Sequence, residues 1–418
     1  MLAAALFYLP QAAVVIYLNR LMPLEGGLFQ WATVGLGPAL GFFTAWNLWA
    51  YAVVIMAVFG VMIATNLSYL LAAMGATFMQ AGWYTPVVSS AAVIFITVVA
   101  LLGLRVGKWL QGFGGAAQLL MFSALIAVPF IAMARDRAVD YHPLSVAMPA
   151  VSLLSLNIFG KMALGALSGF EYVAILAGEC RDPARSIGRS VVAAVPLIAV
   201  MFIFGTSSVL SLVDQDKIDL VSPIPQTLSI GFGGLAIGQY IVPVLILLLL
   251  TRQIGNVTLI FAGNTRLPMV AGWDRLVPAW FSRLHPRFRT PVNSILFVGS
   301  ITLVLNLAGQ IGVGLQEAFQ LLENAAGILY GFTYLALFAI PLFGAARLGV
   351  QPPLWLKAAS ASGFAVTLLY CVLSIFPIID VASWTSFAVK IIAVLVATNL
   401  IGWAIYRTRG RSAPDPGR

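Results

Sequence analysis

Charged residues are scarce in this sequence. Only 9% of the 418 residues are Asp, Glu, Lys or Arg, whereas 61% are hydrophobic. A soluble domain uses about a quarter of its residues for charge, so this chain lacks the polar groups that would cover a water-facing surface. Apolar runs of about 20 residues, long enough to cross the hydrocarbon core as helices, recur along the chain. The composition therefore predicts an all-α, polytopic membrane protein.

Motifs of enzymes and metalloproteins are also lacking. The two cysteines, Cys180 and Cys371, lie far apart, and neither His142 nor His285 has a Cys, Glu or second His at metal-ligand spacing. The glycine-rich run at 112–115 opens an apolar helix and is not followed by the Lys and Ser or Thr of a phosphate-binding loop. We therefore expect no enzyme activity, no metal and no cofactor, and we disfavour ATP-driven transport.

The apolar runs predict about eleven transmembrane helices. Turn-forming segments such as Gln351–Pro353 separate them, because proline cannot continue the hydrogen bonding of a helix. We predict one transmembrane domain over 1–406 and a free polar tail over 407–418. The predicted helices lie near residues 2–19, 38–64, 86–104, 113–133, 151–178, 190–212, 235–262, 292–308, 318–344, 354–376 and 385–406.

Basic residues are concentrated in alternate loops, so the net charge of +9 indicates topology and not a nucleic-acid partner. Basic short loops face the cytoplasm, and we therefore expect a cytoplasmic C-terminus in an inner (plasma) membrane. The cluster around His285 is expected to contact lipid headgroups. The basic loop residues are Arg20, Arg105, Lys108, Arg181, Arg185, Arg189, Arg266, Arg275, Arg283, Arg287, Arg289, Arg347, Lys357, Arg407, Arg409 and Arg411.

The first nineteen residues carry no charge, and an apolar run starts directly after Met1. Eleven helices with a cytoplasmic C-terminus place Met1 outside the cell. A signal peptide needs a basic start and a small-residue cleavage site, and neither is present. The simplest interpretation is that one upstream helix is absent from this chain. A genuine outward N-terminus is the alternative.

Three stretches of the chain carry a family resemblance. They are Pro23–Trp31 with Gly37–Phe42, Ser168–Glu171 running on to Gly178–Arg185, and Gly263–Arg266 leading through Leu276–Pro278 to His285–Asn293. Together they resemble the amino acid, polyamine and organocation transporter superfamily and its amino acid permeases, over most of the chain.

This resemblance implies a LeuT-like fold. Such a fold has two inverted repeats of five helices, followed by two further helices, and the substrate binds near the bilayer midplane where the first helix of each repeat is interrupted. By this correspondence the family's first helix is missing here, and the second repeat begins with the helix predicted at 151–178.

Polar and flexible residues interrupt that helix near its middle. Non-helical backbone inside a membrane is tolerated where it lines a cavity or contacts protein, and its free amides and carbonyls can bind a carboxylate and an ammonium group. With the resemblance, this predicts a substrate site at Ser168, Gly169, Phe170 and Glu171, with Phe170 shielding the ligand. Alternatively, Gly169 only permits close helix packing.

Charged residues within the predicted helices are candidates for a proton or polar relay. Glu171 either recognises an amine, relays a proton or pairs with Lys161 to hold the helix. Glu323, next to Asn324, either lies on a substrate or proton path or makes an interhelical hydrogen bond. Lys161 alternatively extends its ammonium group toward an interface.

These observations favour a secondary transporter that moves an amino acid or related small amine by alternating access. Coupling is expected to a proton gradient or to exchange. The rival hypothesis is a truncated or non-transporting homologue, either a sensor or a degenerate product, because half of the expected site is missing. A channel is disfavoured because no filter motif is visible.

Overall fold

A computed structural model describes most of the chain as helix. The residues described are 2–24, 26–134, 150–172, 182–214, 217–233, 235–269, 277–310, 314–381 and 383–409. Within these ranges there is no β-strand. The α-helices are α1 (Leu9–Leu21), α2 (Leu28–Leu36), α3 (Pro38–Ala73), α4 (Tyr84–Leu102), α5 (Leu104–Met133), α6 (Leu153–Lys161), α7 (Pro183–Leu212), α8 (Pro223–Gly233), α9 (Gly238–Asn264), α10 (Val292–Ala308), α11 (Leu315–Phe343), α12 (Ala345–Leu348), α13 (Leu354–Leu373) and α14 (Trp384–Arg409).

Short non-α turns extend two of these helices. A π-helical turn, Ala4–Tyr8, precedes α1, and another, Met162–Ala166, follows α6. Short 3₁₀ turns lie at Phe78–Gln80 and Leu267–Met269. The π turn after α6 is the first sign that this helix departs from regular hydrogen bonding inside the apolar region.

Nine helices in the described part of the chain are long and apolar enough to cross a membrane. They are Ala4–Leu21, Pro38–Ala73, Tyr84–Leu102, Gly112–Met133, Ala184–Leu212, Gly238–Asn264, Leu315–Phe343, Leu354–Leu373 and Trp384–Thr408. Two shorter apolar helices, Leu153–Ala166 and Val292–Ala308, complete the eleven that the sequence predicts. The chain is therefore a multi-pass membrane protein.

The predicted helix bounds are too short in several places. The helix predicted at 38–64 continues to Ala73, and the one predicted at 190–212 begins at Pro183. Helices α2 and α8 were not predicted. Hydropathy marks only the part of a helix that lies in lipid, whereas helical hydrogen bonding continues into polar flanks. Residues 173–178 of the helix predicted at 151–178 lie outside the described residues.

Small residues let α11 approach its neighbours closely. α11 packs against α3 and α13, and the π turn Met162–Ala166 also contacts α11 and α13. A Cβ atom on Gly327 would come within 1.7 Å of the Tyr370 hydroxyl, and one on Gly331 would come within 2.4 Å of the Cys371 sulfur. Glycines therefore allow α13 to support α11 directly behind the broken helix.

Several of the basic loops share one side of the bundle. The hydroxyl of Thr290 donates to the carbonyl of Leu101 at 3.1 Å, which joins the loop before α10 to the end of α4. Val277 and Tyr406 pack against the cluster formed by Phe29 of α2 and Phe42, Ala45 and Trp46 near the start of α3. The helices between these loops therefore run through the bundle and return.

Candidate functional site

The helix that begins at Leu153 is interrupted in the middle of the apolar region. Its start is fixed by a capping box, in which Ser152 and Ser155 each bond the other's backbone amide. Residues 168–170 are not helical, and helix resumes at Glu171. The predicted interruption is therefore present, and it leaves backbone groups on both sides of residues 168–170 without helical partners.

Gly169 provides the turn between the half-helices. Its φ is +124°, a conformation that residues with a Cβ rarely adopt, and a Cβ built on it would meet no atom within 4 Å. Open space therefore lies beside this glycine, and packing does not explain its presence. Beside it, the hydroxyl of Ser168 hydrogen-bonds to the carbonyl of Leu164 in the preceding turn.

Glu171 is fully buried, with 0% of its surface exposed. The hydroxyls of Tyr330 and Tyr334, one helical turn apart on α11, donate to its two carboxyl oxygens. The alternative that Glu171 pairs with Lys161 does not occur in the structure, because Lys161 donates instead to the side-chain oxygen of Asn324. A neutral pair of phenols can hold a buried carboxyl in either protonation state, which a fixed ammonium partner cannot do.

Aromatic rings enclose the break on two sides. Phe170 stacks on Tyr8, with ring centroids 5.2 Å apart, and is 7% exposed. Tyr51 of α3 stacks almost parallel on Tyr330, with centroids 4.1 Å apart. These contacts exclude water from the carboxyl of Glu171 and strengthen the polar interactions around it.

Gln11 of α1 is a site residue that the sequence interpretation missed. Its amide is 0% exposed and lies against the broken segment. With its nitrogen toward Tyr334 it donates to that hydroxyl at 2.8 Å. In this orientation its oxygen faces the carbonyl oxygen of Leu167 and its nitrogen faces two backbone amides, so only the exchange of nitrogen and oxygen satisfies both ends.

In the exchanged orientation Gln11 caps both half-helices. Its nitrogen donates to the carbonyl of Leu167 at 2.9 Å, and its oxygen accepts from the amides of Gly169 at 3.3 Å and Phe170 at 3.2 Å. The amide of Gly169 also donates to the hydroxyl of Tyr334 at 2.8 Å. The detectable sequence signal for this role was a single glutamine in the otherwise apolar run of 2–19.

A second polar group lies on the same helix pair, about two turns of α6 before the break. Lys161 and Asn324 join α6 to α11 there, and the amide nitrogen of Asn324 has no hydrogen-bond partner among the described residues. Glu323 is partly buried and close enough to Lys161 to interact electrostatically with it. Of the three predicted relay residues, Lys161 and Glu323 therefore interact with each other, whereas Glu171 bonds to Tyr330 and Tyr334.

The fold and the interrupted helix define a polytopic helical membrane protein with the architecture of a secondary transporter. The crystal structure of MhsT in complex with L-phenylalanine has a similar fold, with a TM-score of 0.58 at 12% identity over 88% of each chain. A family model described as amino acid permease matches residues 1–397. The chain belongs to that family, as its sequence resemblance implied.

Curated relatives agree with this family. An uncharacterized transporter of Legionella pneumophila is 25% identical over 81% of this chain and 72% of its own length. An uncharacterized transporter of Mycobacterium bovis is 23% identical over 72% of this chain and 66% of its own length. The human b(0,+)-type amino acid transporter 1 is 25% identical over 71% of this chain and 58% of its own length.

Proposed function

We propose that this chain carries an amino acid or a related small amine across the plasma membrane by alternating access, with its C-terminus in the cytoplasm. The single observation that carries the proposal is the break at residues 168–170, where a wholly buried carboxyl adjoins backbone groups that bond to side chains instead of to a helix, and where open space lies beside Gly169. Names of relatives support the substrate class, because one curated relative is an amino acid transporter and the similar solved structure holds L-phenylalanine.

The broken helix offers complementary charges to a zwitterion. The carbonyl of Leu167 ends the first half-helix, where the helix dipole favours a cation such as an α-ammonium group. The amides of Gly169 and Phe170 lie on the other side of the break, where backbone N–H donors favour a carboxylate. Ser168 and the Phe170 ring border this site, so the four predicted binding residues form one continuous stretch of it.

Glu171 is the group best placed to couple a proton to the substrate. A carboxyl with 0% exposure in a membrane bundle is costly as an anion, so its protonation state depends strongly on what lies beside it. A substrate ammonium group next to the break stabilises the anion, and departure of the substrate stabilises the neutral acid. Proton coupling or exchange follows from this mutual dependence.

Lys161 and Glu323 extend the polar path away from Glu171 along the α6–α11 contact. The ammonium group of Lys161 bonds to Asn324 and interacts electrostatically with Glu323. A proton that leaves Glu171 on this side meets these groups next. Their proposed role is to relay the proton, not to hold the substrate.

Flux measurements test the proposed function. The purified chain in proteoliposomes is given each radiolabelled protein amino acid in turn, with and without an imposed proton gradient and with and without the same amino acid inside. We expect at least one substrate to accumulate in response to the gradient or to internal substrate. Binding without flux for every substrate would instead support a non-transporting sensor, and neither binding nor flux would reject the proposal.

A further inference from the structure

The side chain of Gln11 presents the broken helix with the same hydrogen-bonding groups as an amino acid. Its amide nitrogen donates to the carbonyl of Leu167, as an α-ammonium group would. Its oxygen accepts from the amides of Gly169 and Phe170, as an α-carboxylate would. One neutral side chain therefore occupies both ends of the zwitterion site proposed above.

Whether Gln11 keeps these hydrogen bonds depends on which acceptor receives the hydroxyl hydrogen of Tyr334. The Tyr334 hydroxyl lies within hydrogen-bonding distance of two acceptors, the amide oxygen of Gln11 at 2.8 Å and a carboxyl oxygen of Glu171. It has one hydrogen to donate. When Glu171 is ionised, its carboxylate accepts the hydrogen bond from Tyr334. The hydroxyl oxygen of Tyr334 and the amide oxygen of Gln11 then face each other with no hydrogen between them.

Rotating the Gln11 amide does not remove this conflict. With its nitrogen toward Tyr334, the amide oxygen faces the carbonyl oxygen of Leu167 and its nitrogen faces two N–H donors. An added proton on Glu171 resolves the conflict. The acid then donates to Tyr334, Tyr334 donates to Gln11, and every group has a partner.

Among the described residues, the titratable groups that face Glu171 are phenols. Tyr330 and Tyr334 contact it from α11, and Tyr51 of α3 and the adjacent Tyr172 interact with it electrostatically. Phenols ionise only in strongly alkaline solution, so they donate and accept hydrogen bonds without gaining or losing a charge.

We infer that Gln11 is a positioning residue that closes the substrate site while Glu171 is protonated and leaves it when Glu171 loses its proton. The inference rests on the proposed function and deepens it. Proton and amino acid then compete for the chain, because the proton stabilises the amide that occupies the substrate's place. Such competition favours exchange of one for the other over movement of both together.

Hydrogen exchange tests the position of Gln11 without any substrate. In the 418-residue chain in lipid nanodiscs, exchange at the amides of Gly169 and Phe170, corrected for intrinsic rates, is measured over a pH series. Loss of the cap in Gln11→Leu should speed exchange of the Phe170 amide about tenfold, the effect of one hydrogen bond, and should speed exchange of the Gly169 amide less, because that amide keeps its bond to Tyr334. In Glu171→Gln the new side-chain amide can donate to Tyr334 at every pH, as the protonated acid does. The amides of Gly169 and Phe170 should therefore stay protected throughout the series.

Gln253→Leu is the matched control, because Gln253 is a buried glutamine of α9, and Leu250 and Val257 of the same helix belong to a different core cluster from the residues at the break. The Gly169 and Phe170 amides of Gln253→Leu should exchange as they do in the wild type. In the wild type, the protection of these two amides should fall as pH rises. The inference is overturned if Gln11→Leu exchanges like Gln253→Leu, or if Glu171→Gln loses protection as Gln11→Leu does.

A binding experiment tests the competition. The probe is whichever protein L-amino acid raises the Tm of Gln11→Leu most. Its Kd for the wild type should fall about tenfold per pH unit while Glu171 is protonated. The slope should be shallower in Gln11→Leu, where only the direct effect of the substrate ammonium group on Glu171 remains. An unchanged pH slope in Gln11→Leu contradicts the inference. Absence of binding by every amino acid rejects the proposed function and leaves the exchange result to decide the position of Gln11.

Discussion

Two buried polar clusters in this bundle differ in the backbone that carries them. At the break, Glu171 and its two phenols adjoin amides and carbonyls that have left the helix. Between α4 and α10, Asn306 donates to the hydroxyl of Ser89 at 2.9 Å, and both residues are fully buried on intact helices. The first cluster includes an ionisable group and backbone groups that bond outside a helix, and the second is neutral.

The difference shows where function is expected in an apolar bundle. A neutral hydrogen bond between regular helices has one stable arrangement, so it can only hold those helices together. An ionisable group beside free backbone has alternative partners, and a ligand or a proton can change which are used. Polarity inside the membrane is therefore not enough to mark a site, whereas polarity together with a broken helix is.

Among substitutions that compare the two clusters, Gly169→Ala should have the largest effect, and the property affected is amino acid affinity. A Cβ at a φ of +124° is strained, which costs about 1–3 kcal/mol and favours reclosing the helix. We expect amino acid affinity to fall by about one to two orders of magnitude by the same energy. Equilibrium binding of the amino acid to the wild type and to Gly169→Ala measures this change in affinity.

The matched control for that change is Gly165→Ala. Gly165 lies in the π turn on the same segment, and a Cβ there would also meet nothing within 4 Å, but its φ is not positive. Affinity should stay at the wild-type level. Equal losses in both variants would show that the conformation of Gly169 is irrelevant to binding.

Lys161→Met should have an intermediate effect. It removes the donor to Asn324 and the charge next to Glu323 while keeping the length of the side chain. If Lys161 relays a proton, uptake driven by a proton gradient should fall about tenfold, the effect expected of one hydrogen bond to a charged group. Exchange without a gradient should persist.

Proteoliposome flux in both modes measures this change. Lys390→Met is the control, because Lys390 is exposed on α14 and should tolerate the loss of its charge. A parallel decrease of both modes in Lys161→Met would assign the residue to holding the helices.

Asn306→Leu should have the smallest effect. Hydrogen bonds between membrane helices contribute about 0.6 kcal/mol on average, and the side-chain oxygen of Asn306 has no partner among the described residues. We expect a slight fall in Tm and unchanged amino acid affinity. Thermal unfolding and binding of the same preparation test both. Loss of amino acid affinity would place the Asn306–Ser89 cluster in the functional site. The two buried polar clusters would then not differ in function.

Much of the fold follows from the sequence because lipid imposes a simple requirement. Every backbone polar group that meets hydrocarbon must be bonded within its own helix, so long apolar runs such as that of α3 predict helices directly. The interruption at Gly169 was also predictable, since glycine and charge rarely occur together in the middle of a span. Helix ends were predicted less well because hydropathy fades before the helix does.

Partner choice was not predictable in the same way. Lys161 and Glu171 lie ten positions apart in one segment, and opposite charge made them natural partners in the sequence. In the structure each finds its partners on α11, because the π turn and the break rotate the two side chains onto different parts of that helix. Gln11 was overlooked for the same reason, as its partners lie more than 150 positions away.

The sequence by itself determined that this protein spans a membrane repeatedly, which helices do so, which family it belongs to and where one helix breaks. These properties depend on local composition and short motifs, which act within one or two helical turns. Only the tertiary structure decided that two tyrosines of α11 hold Glu171 and that Gln11 of α1 covers the broken ends. Such contacts depend on how helices distant in sequence pack, and no local pattern specifies that geometry.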